Sequence, residues 1–429
     1  MWRRALPVCL LLSLLTACQP PGRPAGPGAD AGPGPAAPGT GTGTLPGGGG
    51  LVTLRYFPRG HPEFDSAIVQ AFEDAHGHIR VAQVTLEGDP RTKVLSLIEA
   101  GEVDVIMGAW VSLPELAQQH LLLDLTPFVQ RDGVELQPHE RAEMVEGRLY
   151  WLPVRNAVGM VFFNPDLLAR AGVSPPAPDW TWDDFRRLAA ALRDRLGPEG
   201  VQPVSAYEPQ LLYQTMVYQQ WREGPVPPPE AVERALSAIG ALVADGLVPP
   251  PPAPDEPTPE DFNRGRAGFL AAVIVSLADG RLVGYGQQTP WDAVPFPRFP
   301  DTENWLPVYG DESVAVAATT PHPEAAWAMV RFMTGDRGAP VVAAARSIPP
   351  RITPEVQAVY REMGLGPRVI EALAGPKHPV PGWTEEDWPL VELAFSLGEA
   401  VMRGEQTPEE AAAAYRQAYR EWQQRQPGR

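Results

Sequence analysis

From residue 51 onward, short β-rich runs alternate with stretches of helical spacing. Residues 51–57, LVTLRYF, make the first run, and 62–76 follow with apolar positions at Phe64, Ile68, Ala71 and Phe72, one face of a helix. A second strand is predicted at 79–86, a helix at 90–100 ended by Gly101, and a third apolar run at 103–107. Strand and helix in alternation predict a parallel sheet covered by helices. Further along, 147–153 reads as a hairpin-like approach to a buried strand at 159–164, GMVFFN, with the polar pair Arg155 and Asn156 between them. Helices are expected at 182–196, capped by Thr181, at 229–245 and at 323–334; strands are expected late in 262–275 and at 313–318. The proline-rich 249–259 is a stiffened loop, the chain after 334 is largely helix with proline breaks, and no fixed-period repeat is visible.

The first fifty residues follow none of these patterns. Met-Trp-Arg-Arg and the apolar run 5–15 form a secretory signal, too short to span a bilayer comfortably. Leu15-Thr16-Ala17-Cys18 resembles a bacterial lipobox, which makes Cys18 the expected lipidated N-terminus after cleavage of residues 1–17. Residues 18–50 then carry the lipidated cysteine and a proline and glycine leash with almost nothing to bury, expected to be disordered. The glycines at 47–50 lack the Lys-Ser or Lys-Thr of a phosphate loop.

Residues 51–429 exceed what one hydrophobic core usually organises, so two lobes are expected. Loss of Arg3 and Arg4 with the signal takes the formal net charge from -17 to -19, which argues against nucleic acid or anionic lipid as partner. Cys9 leaves with the signal and Cys18 takes the lipid, so no thiol remains for a disulfide or a metal cage. Among 35 basic residues only Lys93 and Lys377 are lysines.

Several segments carry a family resemblance. GRLYWLPVRNAVGMVFFNPDLLARAGV with the later TWDDF, then FNRGRAGF, HPEAAWAMVRFMTG and RSIPPR, occur in the order found in the extracellular solute-binding proteins of ABC importers. The chain resembles the carbohydrate-binding group that includes maltose-binding protein; Pro153, Asn164, Asp166, Leu167, Gly172 and Trp182-Asp183-Asp184 match the most recognisable passage, while Phe269 stands where methionine is commoner. The resemblance implies an α/β, two-lobed periplasmic-binding-protein-like fold with hinge strands and a ligand cleft between the lobes. It implies an N-lobe of 51–156 with 277–320 and a C-lobe of 157–276 with 321–429, crossings falling near 155–158, within 276–310 and near 319–321.

The function so implied is that of a monomeric, membrane-anchored receptor that captures a small solute, expected to be a carbohydrate, and delivers it to ABC permease subunits. The expected location is the outer face of the cell membrane, or the periplasm if there is an outer membrane. Open sheets bind ligands at the carboxyl ends of their strands, which brings forward Tyr56 and Trp110. Trp221, Trp291 and Tyr309 are further candidates, since flat aromatic walls suit the C–H faces of a sugar. Arg155, Asn156, Asp311 and Glu312 suit its hydroxyl rim. An acid beside aromatics equally suits a polyamine or quaternary amine, Arg155 suits a sugar phosphate, and a sensor acting through a partner protein is a further alternative.

Catalysis finds less support. A glycosidase needs two carboxylates across a cleft, whereas Asp311 with Glu312, and Asp183 with Asp184, are adjacent in sequence and the second pair suits a helix start. No Gly-x-Ser-x-Gly elbow is present. His76-Gly77-His78 reads as a solvated turn after a helix, so no metal and no cofactor is expected.

Overall fold

The computed structural model of the protein describes residues 50–58, 60–85, 89–108, 112–137, 140–141, 144–221, 223–252, 260–274, 289–380 and 386–425. Its first part holds β1 (Val52–Phe57), α1 (Pro62–Ala75), β2 (Ile79–Gln83), α2 (Pro90–Glu99), β3 (Val105–Met107), α3 (Leu113–Gln118) and α4 (Thr126–Arg131). Next come β4 (Trp151–Phe163), α5 (Pro165–Arg170), α6 (Trp182–Leu196), β5 (Gln202–Val204), α7 (Gln210–Tyr218), α8 (Pro229–Ala244), β6 (Ala267–Ile274), β7 (Asp292–Val294) and β8 (Leu306–Val316). The last part is α9 (Pro323–Thr334), α10 (Ala339–Ala344), α11 (Pro354–Glu362), α12 (Pro367–Ala374), β9 (Lys377–Pro379), α13 (Trp388–Met402) and α14 (Pro408–Arg425).

One sheet runs through both ends of the molecule in the order β2-β1-β3-β8-β4-β6-β5, with β7 added on β4 and β9 on β8. Parallel pairing holds at each end, β1 with β2 and β3, and β5 with β6. The middle is antiparallel: β8 runs against β3 and β4, and β6 against β4. The sheet is therefore mixed, where local alternation alone predicts a parallel one. Strands that carry the chain from one end to the other and back must run in opposite senses.

Four apolar clusters fix the layers. At the β1–β3 end, α1 and α9 cover one face through Phe64, Ile68, Phe72, Trp327 and Val330, and α2 and α3 cover the other through Val94, Ile98 and Leu113. At the β4–β6 end, α6, α7, α8, α13 and α14 build the largest cluster on one face. Residues of α10, α11 and α12 close the opposite face against Met160, Phe162, Leu270 and Val308.

These clusters redraw the expected lobe boundaries. α9 packs with α1, β1 and β3, and Thr319 and Thr320 bond to Ile98 and Asp104, so this stretch stays with the first end instead of opening the second. Conversely Ala293, Leu306 and Val308 sit in the core of the second end. The chain moves across through α10, whose Val342 joins one core and whose Ala339 and Ala343 join another. The apolar face of α9 matches the sheet it covers, and that long-range fit, not chain order, decides where it belongs.

α6 shows how local chemistry sets one boundary. The Thr181 side chain accepts from the Asp184 backbone N–H while the Asp184 carboxylate accepts from the Thr181 backbone N–H, a capping box worth roughly 1 kcal/mol. Those bonds lower the Asp184 pKa and hold the carboxylate at the helix start, as the sequence suggests. Among the described residues no helix is long and apolar enough to cross a membrane, and no group of three His, Cys, Asp or Glu side chains is placed to hold a metal.

Candidate functional site

Both sets of parallel strands end against one stretch of β4 and β8. Tyr56 of β1 pairs with Val105, and Met107, the last residue of β3, lies opposite Val314. From the other end, Ile274 at the finish of β6 lies opposite Val158. Strand ends of both halves thus converge on residues 155–158 and 308–312, where β4 and β8 pair through two irregularities, at Pro153/Arg155 and at Ala157/Val158. Such convergence is where open α/β sheets collect ligands, and bulges are where strands bend.

Arg155 organises the middle of this region. Its guanidinium pairs with Glu312 of β8, donates to Ser347 Oγ at 3.0 Å and lies 5.3 Å from the centroid of the Phe64 ring. The neighbouring Asn156 N–H donates to the Ile348 carbonyl at 2.8 Å. Arg155 and Glu312 are both buried, and Asn156 completely so. Two adjacent strands, the segment after α10 and the first turn of α1 therefore meet at one guanidinium. In this conformation Arg155 and Glu312 pair with each other, while Asp311 enters the arrangement through backbone pairing opposite Asn156.

Tyr56 belongs to the same neighbourhood. Fully buried, it donates its hydroxyl to Asp65 Oδ1 at 3.0 Å; Asp65 Oδ2 in turn accepts from the Gly60 and His61 backbone N–H groups at 3.2 and 3.0 Å. Burial raises the Asp65 pKa, opposed by the Tyr56 hydroxyl, the two amides and the Arg155 charge. The carboxylate thereby fixes the loop that leaves β1.

A second set lies on the face covered by α6 to α8. Tyr309 of β8 is half-buried, its hydroxyl 3.3 Å from Thr215 Oγ1, and its ring stands edge-on to Tyr218 at 5.9 Å. Gly159 makes room for it, since a Cβ there would come within 2.7 Å of the Tyr309 ring. Tyr218 stacks at 6.3 Å on Trp221, which is 1% exposed with its indole N–H donated to the Gly224 carbonyl. Trp221 is thus an inner wall behind Tyr218 and Tyr309, not a surface group. Trp291 stands apart, half-buried and 5.4 Å from Phe162 on the opposite face of the sheet. Trp110 and Cys18 lie outside the described residues.

Glu208 is the residue that sequence reasoning missed. It follows β5 in the loop before α7, on a backbone with φ of 44°, a conformation that non-glycine residues rarely adopt and that recurs at ligand sites. Burial alone pushes its carboxyl up to about 7; burial, and to a lesser extent the Glu208 charge, raises the Tyr309 hydroxyl. Two residues on, the buried Gln210 Oε1 has no hydrogen-bond partner among the described residues. Glu208, Gln210, Thr215 and Tyr309 together offer acceptors, hydroxyl donors and a ring face at the carboxyl end of a strand, a set able to hold a polyhydroxyl or an amine.

Comparison with known proteins identifies a family and a shared fold. The family described as bacterial extracellular solute-binding protein matches residues 60–340. A sugar transporter from Rhizobium etli, solved in an open conformation, superposes with a TM-score of 0.69 at 18% identity, covering 85% of this chain and 98% of that one. The sugar-binding protein MalE from Xanthomonas citri gives 0.64 at 21% identity, with 88% and 100% covered. A cyclic alpha-maltosyl-1,6-maltose binding protein from Arthrobacter globiformis gives 0.65 at 18% identity, with 86% and 98% covered.

Proposed function

The chain belongs to the bacterial extracellular solute-binding proteins, and from that premise we propose that it is the substrate-binding receptor of an ABC importer, capturing a sugar or oligosaccharide between two lobes and delivering it to a permease. The observation that carries this reading is the set of Glu208, Thr215 and Tyr309 where strand ends of both lobes converge. Tyrosine rings meet the C–H faces of a sugar, and the carboxyl, amide and hydroxyls meet its rim. Sugar-binding relatives of the same fold support it.

Closure follows from the energetics of a ligand that touches both lobes: it binds the closed state better and shifts the population towards it. A thermal-shift screen followed by calorimetry is expected to find a saccharide that binds saturably, and small-angle scattering a smaller radius of gyration in its presence. An unchanged radius at saturation would count against a two-lobed trap. Glu208 also favours a second reading, an amine ligand held by an ionised carboxylate beside tyrosine rings. Polyamines and quaternary amines therefore belong in the screen, and a hit confined to them overturns the sugar assignment.

Retention at the membrane by a lipid on Cys18 completes the proposal, motivated by Leu15-Thr16-Ala17-Cys18. Mass spectrometry of the exported protein is expected to show a diacylated or triacylated Cys18 at the N-terminus. A mature form that starts elsewhere, without lipid, rules the anchor out.

A further inference from the structure

Lys377, one of the two lysines in the chain, opens β9 beside Leu306 of β8. It lines a cavity of about 350 Å³ together with Arg351, His378, Gln137, Thr353 and Asp336. A volume of this size lies near the lower end of the range for small-molecule sites. The cavity adjoins the α12 core, on the opposite face of the sheet from Tyr309.

Lys377 is the cation in this cavity that no acid pairs among the described residues. Lys377 is half-buried, donates Nζ to the Leu373 carbonyl at 2.5 Å and forms no ion pair among the described residues. Desolvation without a counter-charge pushes its ammonium down to about 8. Arg351 is fixed in place, donating to the Glu135 carbonyl at 2.6 Å and standing 3.7 Å from Glu140. Of the acids nearby, Asp336 is exposed, Glu140 faces Arg351, and Glu355 turns to the Thr353 hydroxyl at the start of α11. An ammonium without an ion pair, set on a concave wall beside the Arg351 guanidinium and the Gln137 and Thr353 donors, favours an oxyanion over a neutral or cationic guest.

We propose that this cavity binds a small oxyanion, a phosphate or carboxylate group on a compact ligand, with Arg351 and Lys377 as charge partners and Gln137 and His378 as further contacts. This assignment does not depend on which solute the cleft takes.

Having only two lysines makes the test direct. In the full wild-type chain, labelled at the lysine side chains, NMR titration is expected to show the Lys377 resonance moving saturably with inorganic phosphate or with citrate at constant ionic strength, while Lys93 stays put as internal control. Saturation with phosphate alone assigns a phosphate ligand, and with citrate alone a carboxylate ligand. Calorimetry on Lys377→Gln is expected to show at least tenfold weaker binding of the same probe, with Lys377→Arg within about threefold of wild type. If neither probe moves Lys377 more than Lys93, or if a folded Lys377→Gln binds as tightly as wild type, the site is refuted.

Discussion

Replacing Arg155 with alanine is expected to lower folding stability by about 3–5 kcal/mol, read as a large fall in the urea midpoint of unfolding. The change removes the ion-pair partner that Arg155 gives Glu312 while leaving that carboxylate buried, and it takes the donor from Ser347 and the cation from the Phe64 ring. A buried charge without compensation costs more than the pair contributes, so removing both charges should do less harm than removing one. Accordingly Arg155→Met combined with Glu312→Leu is expected to be more stable than Arg155→Ala. A loss under about 1 kcal/mol for Arg155→Ala would mean that the guanidinium is not what joins these segments.

Glu208 carries the second large effect, on binding and on pH dependence. Its carboxyl titrates at about 7 in the folded chain against an ordinary value of 4.5, so the folded state holds the proton more tightly than the unfolded state does. Below the ordinary value both states are protonated and nothing is lost. As pH rises towards and through 7 the unfolded chain ionises first, and stability falls by an amount on the order of 2 kcal/mol. Glu208→Gln is therefore expected to melt higher than wild type at pH 8 and at the same temperature at pH 4. For a sugar ligand, Gln should keep affinity within about threefold while Glu208→Ala weakens it at least tenfold, a difference of about 1.4 kcal/mol or more. Equal affinities of Ala, Gln and wild type for the identified ligand, measured by calorimetry, would remove Glu208 from the site.

Helices with a sustained apolar face were legible from sequence almost to the residue. Pro62–Ala75 and Pro323–Thr334 agree with their spacing, and Thr181 with Asp184 marks the start of α6 by capping chemistry that acts over four residues. Strands defined by distant partners were less legible. β4 is one strand, Trp151–Phe163, because β8 pairs along Trp151–Val158 and β6 along Val158–Phe163; read locally, Arg155 and Asn156 interrupt its apolar run. Their burial depends on Glu312, Ser347 and Ile348, which are more than 150 residues away in the chain. Three-residue β5 has no periodicity to detect, so the loop after it, and Glu208 within it, drew no attention. A position beside a loop does not reveal whether a ring faces outward or, like Trp221, inward.

The place of β1 in the sheet also bears on how the fold meets force. β1 lies between β2 and β3 and runs parallel to both, with Val52 already paired to Ile79 at its first residue. Tension drawn through the backbone ahead of residue 50 pulls this strand along its own axis. Its ladders to two neighbours are then loaded together in shear, instead of being peeled apart one bond at a time as on an edge strand. At the other terminus α14 attaches through Ala411, Ala412, Tyr415 and Trp422, side chains that a pull from the end can lift away in turn. The two termini thus hold the fold in different ways, the first through strand ladders loaded in shear and the last through side-chain packing.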